Sequence, residues 1–241
     1  MTKKKKYKTV LDPETGLLRI IALTNFSDVK KGDFGGLIEK EDNLSHEGNC
    51  WISGGAWVSG DACVYENARI LGFAHISENA CVGGNAKVYG QAHVYGNAKV
   101  YEDAVVCGHA VVYGHAWIYG CAQIYETAWV YGSAEVCGNA RIYGSAEVCG
   151  NARIYDNARV FGNVRVYEGA KVYGRAKLWA TDFSSIHTSV EDNKEDCIVL
   201  GNKKEFYIYS SNIIASTKFT TAALDYIKNI KTIRQLYGEE I

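Results

Sequence analysis

The chain has 241 residues, a formal net charge of -1, 22% charged residues and one proline against 25 glycines. So even a balance excludes the basic surface with which general nucleic-acid binders neutralise phosphates, and no run approaches the ~20 apolar residues of a membrane span. Eight cysteines without a secretory leader read as reduced thiols, which predicts a cytoplasmic protein.

Lys3 to Lys6 open the chain as cations expected to form a solvated tail, contact with anionic partners being the other reading. Tyr7 to Leu11, the turn-forming Asp12-Pro13-Glu14-Thr15-Gly16 and Leu17 to Leu23 predict a β-hairpin. Distinctive text follows: Thr24 to Lys30, Asp33-Phe34-Gly35-Gly36-Leu37-Ile38, and Asn43 to Trp51.

From Ile52 to Leu178 an aliphatic residue recurs at every sixth position, and alanine stands two residues ahead of it from Ala56 to Ala176, except at Val164. A spacing of two puts the pair on one face of a short strand, with the residue between them and the following tyrosine on the other. Gly-Asn, Gly-Ser, Glu-Asn or Gly-His then bends the chain, since Gly and Asn tolerate positive φ. A four-residue strand plus a two-residue corner, repeated, is a solenoid with flat walls.

The unit Ala-x-Val/Ile-Tyr-Gly-Asn resembles the hexapeptide repeat of left-handed parallel β-helices. The resemblance implies about seven triangular coils of 18 residues over residues 51–180, and the left hand is taken from it. The segment from Leu17 to Trp51 is similar to the lead-in of YdcK-like bacterial proteins and of phage and prophage hexapeptide proteins. That likeness implies an acetyltransferase label and a phage or prophage origin, but a fold does not give a function. Residues 1–50 are assigned to an N-terminal hairpin and cap over the open core end.

Counting in eighteens sorts the outward residues onto three walls. Wall one carries Arg69, Lys87, Val105, Gln123, Arg141, Arg159 and Lys177, beside Tyr125, Tyr143, Phe161 and Trp179. Wall two carries Trp57, His75, His93, Val111, Trp129, Glu147 and Arg165, beside Tyr95, Tyr113, Tyr131 and Tyr167; its apolar run makes it the expected subunit interface. Wall three carries Cys63, Cys81, Lys99, Trp117, Glu135, Arg153 and Lys171, beside Tyr65, Tyr101, Tyr119, Tyr155 and Tyr173, so every wall is a ladder of outward aromatics. Cys63 and Cys81 fall within disulfide range but are read as neighbouring free thiols. A homo-oligomer is expected, with a trimer implied by the hexapeptide resemblance.

Arg141, Arg159 and Lys177 stack with no acid between them, so an anion would relieve their repulsion. With Tyr143, Phe161 and Trp179 alongside, these residues are the candidate site for a small anionic or nucleotide ligand. Glu191 to Asp196 folding back over them, or solvent screening, is the other reading. Residues 132–143 and 144–155 are the same dodecamer, GSAEVCGNARIY, and twelve residues are two thirds of a coil. The duplication turns everything after it onto another wall, which argues against a binding face that crosses it and leaves open one assembled after it.

An enzyme of this resemblance would be an acyl-CoA-dependent acyltransferase with acetyl-CoA as donor and His109 or His115 as general base. No excursion interrupts the repeats, and those two imidazoles sit a wall apart. No metal is expected, since His75 and His93 stack but Val111 takes the next rung. The expectation is therefore a non-enzymatic binding or scaffolding protein without a cofactor, and acyl transfer is the alternative.

After Leu178 the pattern fails, and Thr181 to His187 reads as loop. Asp196 to Leu200 and Glu205 to Tyr209 predict a hairpin turning at Gly201-Asn202. A strand from Asn212 and a helix over Ala222 to Tyr237, capped by Thr220 or Thr221 and ended by Gly238, complete an α+β C-terminal cap over residues 181–241.

Overall fold

A computed structural model describes residues 5–186, 190–192, 198–202 and 205–209, with side chains through Ala180. The chain winds as a triangular parallel β-solenoid of about eight turns, and its hand is the left one implied by the hexapeptide resemblance. From Trp51 to Arg159 each wall strand pairs in parallel with the residues eighteen further on. On wall one the register runs from Trp51 through Arg69 and Lys87 to Lys177 without a slip.

Regular strands are shorter than the four residues expected, two in most hexads, such as Trp57–Val58 and Cys63–Val64. Backbone hydrogen bonding nevertheless continues into the corners. Cys63 N donates to Ala80 O at 2.9 Å, Tyr65 N to Val82 O at 3.0 Å and Asn67 N to Gly84 O at 2.9 Å, while Ala68 N closes the corner on Tyr65 O at 3.3 Å. A turn tied to the next coil in this way leaves few backbone donors unsatisfied.

The alanine and aliphatic rows fill the column, and each inward residue from Ala56 to Leu178 is no more than 2% exposed. Burying one valine or isoleucine contributes about 1.5–3 kcal/mol. Alanine at the neighbouring position keeps the walls close enough for those larger chains to meet.

Corners require positive φ, supplied by glycine or by an acid. Glu66, Glu78, Glu102, Glu126, Asp156 and Glu168 adopt φ of 56 to 59°. The carboxylates of Glu66, Glu102, Glu126 and Asp156 each accept from the backbone N of the glycine one coil on, at Gly84, Gly120, Gly144 and Gly174 (2.6, 2.8, 2.8 and 3.1 Å). That charge-assisted bond offsets the strain of a left-handed residue bearing a side chain.

The N-terminal strands β1 (Tyr7–Leu11) and β2 (Leu18–Ala22) form the expected hairpin, closed by Asp12, whose carboxylate accepts from Thr15 N and pairs with Arg19 at 2.9 Å. A third strand, β3 (Phe34–Ile38), lies antiparallel to β2 and parallel to Trp57–Val58, so the hairpin continues the sheet of wall two. The lysine run is not a solvated tail throughout. Lys5 pairs with Glu41 at 2.9 Å. Lys6 is 5% exposed, with Nζ donating to Cys50 O at 2.9 Å and lying 3.2 Å from Cys50 Sγ. A lysine stem threads readily through apolar surroundings when its ammonium finds carbonyls at the far end.

At the other end the structure departs from the sequence reading. Lys177–Ile186 is one strand, where Thr181 to His187 was expected as loop. It pairs with the eight-residue Arg159–Val166 through a bulge that inserts two residues, since Gly162 faces Ala180 but Val164 faces Ser184. The expected hairpin exists as Ile198–Asn202 against Glu205–Tyr209, but Gly201 and Asn202 pair with Phe206 and Glu205 and lie in the strand rather than in the turn. The strand expected from Asn212 and the helix expected over 222–237 lie outside the described residues.

Candidate functional site

The cationic row on wall one forms as counted. Gln123, Arg141, Arg159 and Lys177 stand in register on consecutive rungs, with Arg141 and Arg159 exposed. Beside them the rings of Tyr125, Tyr143 and Phe161 stack face to face at 4.8 Å between successive centroids, and Trp179 follows at 6.3 Å. Burial in the stack pushes the Tyr125 and Tyr143 phenols up, while the positive charges of Arg141 and Arg159 pull both back. Guanidiniums and ring edges thus share one surface.

Glu126 stands at the adjoining corner, but its carboxylate accepts from Gly144 N. Of the stretch Glu191 to Asp196, Glu191 and Asp192 pair with Tyr173 and Gly174 on wall three, and residues 193–196 lie outside the described residues. Chemically, the surface can offer stacked rings to a base and adjacent cations to a phosphate.

His109 and His115 are exposed at successive corners. Among the described residues neither imidazole has a hydrogen-bond or ion-pair partner, so nothing there fixes a tautomer or orients a base. His75 is different. Its ring lies 4.5 Å from Trp57 and 5.7 Å from His93, its Nε2 is 3.2 Å from Ser59 Oγ, and burial followed by the charge of His93 lowers its pKa to about 4. Among the described residues no three His, Cys, Asp or Glu side chains converge as metal ligands.

Reading the sequence wall by wall missed a second kind of constellation. On wall three the Tyr119 hydroxyl bonds Glu135, which pairs with Arg153 at 3.2 Å, beside Cys137. These residues, with Tyr155, Asp156 and Lys171, line an open cleft of about 320 Å³. On wall two the Tyr131 hydroxyl donates to Glu147 at 3.2 Å and accepts from Arg165 Nη2 at 3.0 Å, while Arg165 Nε lies 3.4 Å from Glu147, and Cys149 is buried beneath. The two sets have the same spacing, because the Glu and Cys of each come from one copy of the duplicated dodecamer.

Burial pushes Cys137 up, and its neighbour Glu135 pushes the same way, so the cluster holds a neutral sulfur rather than a nucleophilic thiolate. The Tyr119 phenol is itself pushed up, first by Cys137 and then by Glu135. A small side chain in the aromatic ladder lets the preceding tyrosine lean into the gap and reach the acid. The signal that could have found it is a Tyr followed by Glu at sixteen, Cys at eighteen and Arg at thirty-four residues.

A family model described as YdcK Beta solenoid repeat matches residues 152–168. A stretch of 36 residues is 53% identical to the Uncharacterized acetyltransferase YdcK of Escherichia coli (strain K12), covering 15% of this chain and 11% of that protein. Among solved structures, LpxA from Acinetobacter baumannii aligns over 80% of this chain and 86% of its own, at 15% identity and a TM-score of 0.33. LpxA from Bacteroides fragilis 9343, a UDP-N-acetylglucosamine acyltransferase, aligns over 86% and 84% at 16% identity and a TM-score of 0.37. The chain therefore carries a YdcK-type β-solenoid repeat within its hexapeptide coils and shares one short, closely similar stretch with the Escherichia coli protein of that name.

Proposed function

We propose that the protein is a non-enzymatic binding solenoid that captures a small anionic or nucleotide ligand on wall one, at Arg141, Arg159, Lys177, Tyr143, Phe161 and Trp179. The observation that carries this reading is the register of three cations on consecutive rungs beside four stacked rings. Two like charges one strand apart repel, and a phosphate held between them converts that repulsion into attraction. The rings add stacking for a base, each such contact contributing about 1–3 kcal/mol. A homo-oligomer, a trimer by the hexapeptide resemblance, is part of this proposal, with the aromatic stretch of wall two as its contact.

A second reading is acyl transfer from acetyl-CoA, favoured by the acetyltransferase name of the protein that shares the 36-residue stretch. It would need His109 or His115 as base, and both stand away from the ring-and-cation surface with no partner to orient them. The readings separate in one experiment. Melting temperature is followed against ATP, CoA, acetyl-CoA and inorganic phosphate, at ligand up to one hundred times the dissociation constant, where stabilisation reaches about 2.7 kcal/mol. The binding reading expects a saturable rise with at least one of them that is lost in Arg159→Ser. No shift with any ligand overturns it, and turnover of acetyl-CoA that His109→Ala or His115→Ala abolishes would establish the second.

A further inference from the structure

On wall three the strand Cys63–Val64 pairs in register with Cys81–Val82, so the two cysteines occupy directly facing outward positions. Their sulfurs lie 2.8 Å apart. Both side chains are half-buried, neither enclosed nor fully exposed. Directly facing residues of adjacent strands sit about 4.8 Å apart, inside the Cα range that a disulfide spans. The Tyr65 ring lies over Gly83, where an added Cβ would stand 2.2 Å from the ring. Its phenol is pushed up by burial and next by the charges of Cys81 and Cys63. Among the described residues no other two cysteines approach each other in this way.

We infer that Cys63 and Cys81 form a redox-active pair that closes into a disulfide when the protein meets a disulfide oxidant such as oxidised glutathione. One protein thiolate attacks a sulfur of the oxidant and expels one glutathione thiolate, leaving a mixed disulfide. The second protein thiolate attacks the protein sulfur of that mixed disulfide, forming the Cys63–Cys81 bond and expelling the second glutathione. The two protein thiols lose two electrons and two protons, and the oxidant becomes two reduced glutathiones. Burial and the Cys81 thiol push Cys63 up to about 12, so closure is slow at neutral pH and quickens as the pH rises.

The link would join the first rung of wall three to the next and close one coil of eighteen residues. This is the end of the column at which the hairpin meets the repeats, where a solenoid otherwise frays. The bond ties an end coil to its neighbour without touching the apolar interior.

The test incubates the full chain in oxidised and reduced glutathione at graded ratios, then maps peptides by mass without reduction. The expected result is a cross-linked pair carrying Cys63 and Cys81, a mass lower by two hydrogens, and a melting temperature raised by roughly 5–10 °C, all reversed by dithiothreitol. Cys81→Ala is expected to retain glutathione on Cys63 as a stable adduct, and Cys121→Ala to close like the parent. A parent protein that keeps stable glutathione adducts on either cysteine, or stays unmodified across the series, overturns the inference. Closure that survives in Cys81→Ala does the same by assigning the bond elsewhere.

Discussion

The two copies of GSAEVCGNARIY give the same local structure on two different walls, and what surrounds each copy makes them unequal. On wall three the Arg153 side chain is 59% exposed and the Glu135 side chain 28%, and the cluster opens into a cleft reached by Lys171. On wall two Arg165 is 39% exposed, its Nε is enclosed, and its guanidinium lies 5.9 Å from the Tyr167 ring above a Cys149 that is 4% exposed. Sequence decides which groups meet, while the wall decides how much water reaches them. An identical string can therefore act as scaffold on one face and as the lining of a cleft on the next.

Three pairs of substitutions test how far this equivalence goes. The largest effect belongs to the interior, where the copies are equivalent. Ile142→Ala and Ile154→Ala each remove a fully buried side chain and are expected to cost about 2–5 kcal/mol, by the same amount in both, as read from urea midpoints. A clear inequality would show that the two coils are packed differently despite their common sequence.

The next effect separates the walls. Glu147→Ala leaves the enclosed Arg165 nitrogen without its carboxylate, an expected loss of about 1–3 kcal/mol. Glu135→Ala breaks a wetter pair and should cost under about 1 kcal/mol. Equal losses at the two positions would mean that water reaches both clusters alike.

The smallest effect is a slope at alkaline pH. The Tyr119 phenol is held neutral by Cys137 and Glu135, and the Tyr131 phenol by burial and Cys149, so both folded pKa values lie above the unfolded value of about 10. Stability from these groups is fully present below that pH and is lost as the pH rises from there through the folded values. Melting temperature followed above pH 9 should fall less steeply in Tyr119→Phe and Tyr131→Phe than in the parent. A slope unchanged in both would remove the two phenols from the account.

The fold was legible because its signal is local and periodic. Val58, Val64 and Ile70 need only a spacing of six to declare an inward row, and Ala62 and Ala68 confirm its phase. The cationic row on wall one was equally legible, since counting in eighteens brings Arg141, Arg159 and Lys177 together. The Tyr-Glu-Cys-Arg clusters were not found by that count, because Glu135 lies two residues short of a full coil from Tyr119 and is reached only when a ring leans into the gap left by a cysteine. Lys6 was hidden for another reason. Nothing in a run of four lysines marks the one that threads under Phe26 to reach Cys50, a contact made across 44 residues. Beyond Leu178 the six-residue rhythm stops, yet Lys177–Ile186 stays extended because the preceding coil offers it a ladder to join, a tertiary cause that spacing cannot reveal.

The acids at the corners carry a rule for how such a chain can lengthen. Each left-handed acid from Glu66 to Asp156 is followed one turn later by glycine, and nowhere do two acids succeed each other at these positions. At these glycines an added Cβ would press on the backbone of the corner one coil further on, 2.4 Å from Glu102 N at Gly84 and 2.8 Å from Gly138 N at Gly120. Copying six or twelve residues keeps the inside in phase at any point along the coil, but it also shifts every later corner onto another edge. Growth by duplication must therefore keep glycine above each acid, so the edges as well as the interior bear on which copies persist.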